Sequence, residues 1–370
     1  MTNSLTLVGH EIVQSRDNVN FLSGFMTLEK SLNFFDLAHQ HFSASLTRTR
    51  QVKKYYHLAG FTVCLHFAGE VLVDFLTSAL CHLETEPTMS CDLTIGIWDS
   101  ASTDVPPMEF PWANGAFTMH GSVVGYNCER IHTVFDPRLH ILQLFDHERS
   151  VALYWVKDRG KCPWWVGASP FQFILHWWMK TRKHQLTHAG AVGYSNGGVL
   201  FAGKSGAGKS TTALSCMKAG MKYVSEDYCL LSDLPQIRAY SVYNSAKITE
   251  KTLSLFPELG KHIENPERPK GDKACVFHYK FQPQNILFSF PLKGLLTLKI
   301  FDSKDSWIEP IDPKEAVASL AGTTLWQLAN TGPSVFHHLK RVAEAVPCYR
   351  LHLGRDLTQP PKLIEKLCLS

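Results

Sequence analysis

Nine consecutive residues constrain this chain more than any other feature: Gly203, Lys204, Ser205, Gly206, Ala207, Gly208, Lys209, Ser210 and Thr211. They match G-x-x-x-x-G-K-S/T, a phosphate-binding loop. The glycines let the backbone bend until several N–H groups converge on one anion. Lys209 has the length to reach terminal phosphate oxygens, and the Ser210 hydroxyl is placed to ligate Mg2+. The apolar run 199–202 ahead of the loop reads as a buried strand. Residues 211–219 behind it read as a helix whose N-terminus turns partial positive charge toward the phosphates. Lys204 reads as a solvated charge, with an extra phosphate contact as the alternative.

A loop of this kind needs an acidic partner at a strand end to hold or orient the metal. Glu226 and Asp227, just ahead of an apolar strand at 228–231, supply two adjacent carboxylates. Such a pair beside a buried strand end requires a cation or polar partners. The expected division of labour puts Asp227 on the metal with Ser210. Glu226 then takes the proton of a substrate hydroxyl.

With these residues in place, the block 188–231 resembles the catalytic core of the HPr serine kinase/phosphorylase family. It is more similar still to the HPr-kinase-related proteins that include peptide-modifying kinases. The likeness is carried by His188-Ala189-Gly190-Ala191-Val192, the strand running into Gly203 to Thr211, the helix and Gly220 behind it, and Glu226-Asp227 leading into Tyr228. Weaker similarity continues through 241–247, Asp272-Lys273 and 323–328. The resemblance implies an α/β fold: a P-loop kinase domain of the HPr-kinase and PEP-carboxykinase type, with a smaller N-terminal α+β domain. It implies ATP and Mg2+, and transfer of the γ-phosphoryl group to a hydroxyl of a peptide, protein or small molecule. His188 matches the family's histidine upstream of the loop, as a phosphate contact or proton shuttle on a strand expected to neighbour the loop's own. The family usually has Asp where Glu226 stands, and its Gly-rich second signature is missing here. A catalytically weak or inactive nucleotide-binding regulatory or assembly protein is therefore the alternative.

Organisation follows from the punctuation. The stretch 157–170 carries Gly160, Pro163, Gly167 and Pro170, which divides the chain into an accessory or substrate-recognition domain at 1–160 and a catalytic domain at 161–370. Strands are expected at 61–67, 93–98, 140–145 and 151–156, and a helix over 70–83 with Val71, Leu72, Phe75, Leu76, Ala79, Leu80 and Leu83 on one face. The first 50 residues are weakly patterned. Ser169 as N-cap and Pro170 at the first helical position predict a helix over 171–181. Within it, Trp177 and Trp178 join Trp164 and Trp165 in an aromatic group read as packing between domains rather than as a ligand platform. Past a strand at 238–242, Asn244 and Lys247 are either substrate contacts or a solvated turn and helix start. Lys273, on a charged loop, is a further candidate to face phosphate.

Of 370 residues 45% are hydrophobic and 19% charged, with a net charge of +4, which excludes wholesale disorder. No run of basic residues marks a nucleic-acid footprint. No signal peptide is visible, and no apolar stretch nears the roughly 20 residues of a membrane span. Ten cysteines without a C-x-x-C pair read as buried thiols in a reducing compartment. A soluble cytoplasmic protein is expected, and a homo-oligomer is left open.

Overall fold

Period-two alternation of large apolar residues builds the N-terminal half into a sheet packed on both faces. The computed structural model describes residues 6–113, 115–118, 120–233 and 235–369, with side chains from Met26 onward. The long helix α1 (Thr6–Arg48) leads into β1 (Gln51–Leu58), β2 (Phe61–Ala68), the short α2 (Val73–Thr77), β3 (Glu84–Thr85), β4 (Leu93–Asp99) and α3 (Ser100–Thr103). Then come β5 (Ile131–Asp136), β6 (Ile141–Asp146) and β7 (Val151–Val156). The sheet order is β3-β1-β2-β4-β7-β6-β5, with β2, β4 and β7 parallel. Leu142, Leu144, Leu153 and Trp155 face α1, which answers with Phe34, Phe35, Ala38 and Phe42 from one helical face. Phe145, Ala152, Tyr154 and Val156 face the other way.

The chain crosses to its second half through α4 (Trp164–Ala168) and α5 (Gln172–Lys180). There follow β8 (His184–His188), β9 (Gly190–Tyr194), β10 (Gly197–Ala202), α6 (Lys209–Lys218), β11 (Lys222–Ser225), β12 (Tyr228–Ser232) and β13 (Arg238–Ser241). Next are β14 (Ser245–Ile248), α7 (Glu250–Leu255), β15 (Ala274–Phe277), β16 (Ser289–Ile300) and β17 (Trp307–Pro310). The chain closes with α8 (Pro313–Leu325), α9 (Pro333–Ala345), β18 (Cys348–Leu353) and α10 (Gln359–Leu369). The main sheet is mixed: β11-β9-β10-β16-β13-β12-β8, with β18 on β16 and β17 on β18. Among its strand pairs only β10–β16 and β16–β18 are parallel. Val199 and Phe201 point toward α6 and α10, Leu200 and Ala202 toward α8 and α9. Burial on both faces explains why the run 199–202 is uniformly apolar. β14 and β15 form a separate ribbon.

One hydrophobic cluster joins the halves, bringing Phe145 and Tyr154 of the first sheet to Trp177, Trp178, Tyr228 and Leu328 of the second half. All ten cysteines are free, most of them buried. No helix among the described residues is long and apolar enough to cross a membrane.

Several expectations are corrected. The weakly patterned N-terminal stretch contains α1. The helix expected over 70–83 is cut to α2 and a 3-10 turn at Cys81–Leu83, because the carbonyls of Ser78 and Ala79 are taken by the Asn244 side chain. The helix expected to start at Ser169-Pro170 begins two residues later, behind Phe171 in the left-handed conformation at φ 60°. Ser169 is not its cap, since the hydroxyl accepts a hydrogen bond from Lys247 Nζ and the Pro170 carbonyl one from Tyr243 Oη.

Candidate active site

The loop Gly203–Gly208 leaves the C-terminal end of β10 and turns directly into α6. Gly208 precedes the helix at φ 103°, where a Cβ would also lie 2.6 Å from Leu353 Cδ1, so only glycine fits. Lys204, Ser205 and Gly206 form an exposed lip, while Lys209 is buried beneath it. Lys209 Nζ donates to the Gly203 carbonyl at 2.8 Å. Burial lowers its pKa, opposed by the carboxylates of Glu226 and Asp227. Thr211 Oγ1 meets Thr252 Oγ1 at 3.2 Å.

Sheet register brings the acidic pair to this loop. Ser225 lies opposite Ala191 in the β11/β9 pair, and Tyr228 lies opposite His188 in the β12/β8 pair. The chain therefore crosses between the two strand pairs at 188–190 and again at 225–228, which sets His188 beside Asp227. His188 was expected on the strand next to β10. That neighbour is β9, and β8 pairs with β12 instead.

Glu226 and Asp227 form the bend between β11 and β12, and their carboxylates meet different partners. Glu226 Oε1 accepts a hydrogen bond from the Ser210 hydroxyl, and Oε2 one from the Lys247 backbone N–H at 3.2 Å. Asp227 instead receives Lys247 Nζ on Oδ2 at 2.6 Å and His188 Nε2 on Oδ1 at 2.9 Å. The expected pairing of Ser210 with Asp227 is thus exchanged, and Glu226 is the carboxylate on Ser210. Burial and the neighbouring Asp227 charge push the Glu226 carboxyl up. Burial alone would raise Asp227 as well, yet Lys247 and His188 outweigh it and hold that carboxyl well below the usual range. The Asp227 side chain keeps 19% of its surface open and His188 8%, so the carboxylate is the accessible member of the pair.

A second layer fixes the imidazole. Gln327 Nε2 lies 3.1 Å from His188 Nδ1. Its Oε1 accepts from Tyr228 Oη, so the amide nitrogen must donate to the ring. That leaves the proton of a neutral His188 on Nε2, facing Asp227. The backbone N–H of His188 donates to Thr324 Oγ1 at 3.2 Å. Gln327 and Thr324 reach the site across more than a hundred residues of sequence, and no local pattern marks them beyond the weak likeness at 323–328.

The remaining candidates separate. Lys247, a strand residue rather than a helix start, sits at the centre of the site. Asn244 is fully buried and fastens the 78–82 segment, with its amide nitrogen 3.0 Å from Ser78 O and 2.9 Å from Ala79 O. It is a clamp between the halves, and no open surface remains for substrate. Lys273 is exposed and acts on Glu226 and Lys209 only through space. Trp177 and Trp178 are buried, and Trp177 Nε1 donates to Ala329 O at 3.3 Å. Trp165 is exposed at the edge of the group.

No protein-family model and no curated protein sequence matches the chain. Among solved structures, the Hpr(Ser) kinase/phosphatase from Coxiella burnetii aligns at 14% identity over 50% of this chain and 93% of that one, with a TM-score of 0.28. An overlap that loose carries no weight for fold or function.

Proposed function

We propose that the chain binds ATP with Mg2+ at Gly203 to Thr211 and transfers the γ-phosphoryl group to a hydroxyl of a peptide, protein or small molecule. The observation that carries this reading is the meeting of Ser210 and Glu226 at the loop, with Asp227 held beside them by Lys247 and His188. A loop that merely turned the chain would have no reason to bury two carboxylates and two cationic or protonatable partners around it.

The residues present suit magnesium. A hydroxyl and a carboxylate are hard oxygen donors, and few protein ligands are the norm for an ion that shares its coordination with phosphates and water. Glu226, raised by burial and by a like charge, gains from a nearby cation. When bound, the ion neutralises phosphate charge. Ser210 and Glu226 would hold it.

The protein's own groups do the rest. Loop N–H groups and the α6 N-terminus receive the phosphates, and Lys209 exchanges the Gly203 carbonyl for a phosphate oxygen. Asp227 accepts a hydrogen bond from the acceptor hydroxyl and then its proton. The hydroxyl oxygen forms a bond to the γ-phosphorus as the bond to the β-bridging oxygen breaks, releasing ADP. A carboxylate held so acidic is a weak base, but phosphoryl transfer draws chiefly on positioning and charge stabilisation. His188, locked by Gln327, orients Asp227.

The test is transfer of labelled γ-phosphate from ATP by purified protein to components of an extract of its own cells, compared with Lys209→Ala. Labelled product that falls at least a hundredfold in the variant is the expected result. Equal labelling by both proteins would remove the loop from the chemistry. ATP binding with no transfer by either would favour a nucleotide-binding regulator.

A further inference from the structure

The ribbon of β14 and β15 presents two sides. Ala246, Ile248, Ala274 and Val276 pack with Leu214 and Met217 of α6. Lys247 and its register partner Cys275 belong to the opposite side, where Lys247 Nζ meets Asp227. Lys273 shares the parity of Cys275 and so lies on the Lys247 side, where the register that pairs Ile248 with Ala274 runs on to Thr249. Thr249 ties this point to the phosphate loop. Its hydroxyl lies 3.1 Å from Thr252 Oγ1, which meets Thr211 Oγ1 at 3.2 Å. On the other flank the Lys247 backbone N–H donates to Glu226 at 3.2 Å. Lys273 therefore borders the space enclosed by the loop and the carboxylate on Ser210.

Two further observations single it out among the cations here. Its backbone is fixed although its side chain is exposed: Asn265 Nδ2 donates to the Lys273 carbonyl at 3.0 Å, and Asn265 Oδ1 accepts the Cys275 N–H at 2.7 Å. Its ammonium has no ion-pair or hydrogen-bond partner among the described residues. Neighbouring cations are answered, Lys247 by Asp227, Arg268 by Glu250 and Lys280 by Glu264. The charge of Lys273 is felt at the centre of the site, where it favours the carboxylate of Glu226 and works against the ammonium of Lys209. Two lysines that repel each other across one space suit an anion placed between them.

We propose that Lys273 contacts the γ-phosphoryl group of ATP, as a catalytic residue that answers the charge on its oxygens during transfer. The proposal rests on the phosphotransfer reading given above. Lys247 is committed to Asp227 and Glu226 to the metal, which leaves Lys209 as the one side-chain cation so far assigned to the phosphates. As the acceptor oxygen bonds to the γ-phosphorus and the bond to the β-bridging oxygen breaks, the hydroxyl proton passes to Asp227 and charge is spread over the three oxygens in transit. Lys209 meets those oxygens from the loop and Lys273 from the ribbon. A cation brought from outside the loop in this way stabilises the transferring group as an arginine finger does.

Calorimetric titration of the full chain with Mg2+ and either ADP or the imido analogue of ATP tests this, because the two probes differ by the γ-phosphoryl group. In Lys273→Met the analogue should bind more weakly by about tenfold or more, the effect of losing one charge-assisted hydrogen bond, while ADP binds as before. A misfolded variant would lose ADP as well. Lys273→Arg, which keeps the charge, should recover most of the loss. Lys270→Met removes the same charge from the same loop and should leave both affinities unchanged, which separates contact from long-range attraction. An unaltered preference for the analogue over ADP in Lys273→Met, or an equal drop in Lys270→Met, overturns the proposal and leaves the phosphotransfer reading standing. Failure of the unaltered protein to bind either nucleotide overturns both.

Discussion

At the scale of single residues, the site is arranged around Glu226. Its two oxygens span the Ser210 hydroxyl and the Lys247 N–H, while burial and Asp227 both disfavour its charge. Glutamine preserves this geometry, since its oxygen accepts from Lys247 N–H and its nitrogen donates to Ser210 Oγ. Glu226→Gln also removes the repulsion with Asp227. Without nucleotide, the variant is expected to melt at the same temperature as the parent or higher, the usual relation where a site trades stability for function. The gain in ATP affinity on adding Mg2+ should vanish in the same variant. Thermal melts and titrations with and without the ion check both halves of the prediction. An undiminished magnesium effect in Glu226→Gln would show that this carboxylate is not the metal's partner.

At the scale of elements, the strands around the loop depend on close approach. Gly190 in β9 lies opposite Phe201 in β10, and a Cβ there would fall 2.0 Å from the Phe201 ring. Gly190→Ala should therefore destabilise the protein by about 1–3 kcal/mol, as overpacking does. Phe201→Leu in the same chain should recover part of that loss, a coupling measured by a double-mutant cycle in urea. Additive effects would mean the ring does not lie over the glycine. The loop, β10, α6 and the acidic pair were legible in the sequence because their chemistry is local: glycines where backbone must bend, a doubly buried apolar run, adjacent carboxylates. The partners that give the pair its character were not. Lys247 is a candidate from its polar stretch, but its place on Asp227, like Gln327 and the crossing at 188–190, is set by sheet register and by contacts far apart along the chain, which no spacing encodes. Asn244 misled for the same reason: a polar residue in a polar stretch reads as solvated, whereas it pairs with carbonyls of the other half. Ser169-Pro170 carries a valid helix-start signal, but tertiary hydrogen bonds took the serine hydroxyl and the proline carbonyl.

At the scale of the whole molecule, buried histidines hold the halves together at neutral pH and work against them in acid. Burial pushes His82, His132 and His176 down to about 3, and His278 to about 4. His82 Nε2 lies 2.8 Å from Ser241 Oγ in the second sheet, and the His132 ring packs against Trp177 at 5.1 Å. Both therefore sit where the two halves meet. An unfolded histidine titrates near 6.5. Above that pH neither state is protonated at these positions, and their contribution does not change. Below it the unfolded chain takes up protons that the folded chain refuses, so stability falls by about 1.4 kcal/mol per pH unit for each histidine until its folded pKa is reached. Several such groups acting together exhaust a typical stability of about 5–15 kcal/mol within two or three pH units. The urea midpoint should accordingly stay level from pH 8 to 7 and drop steeply between 6.5 and 5. His278 isolates one contribution, because both ring nitrogens lack partners and the ring lies among aromatic neighbours, 4.8 Å from Tyr223 and 5.7 Å from Phe281. His278→Phe should fold and make the acid slope shallower by about one proton, near 1.4 kcal/mol per pH unit. A slope identical to that of the parent would mean that His278 is protonated in the folded state, and that acid sensitivity arises elsewhere than in these buried rings.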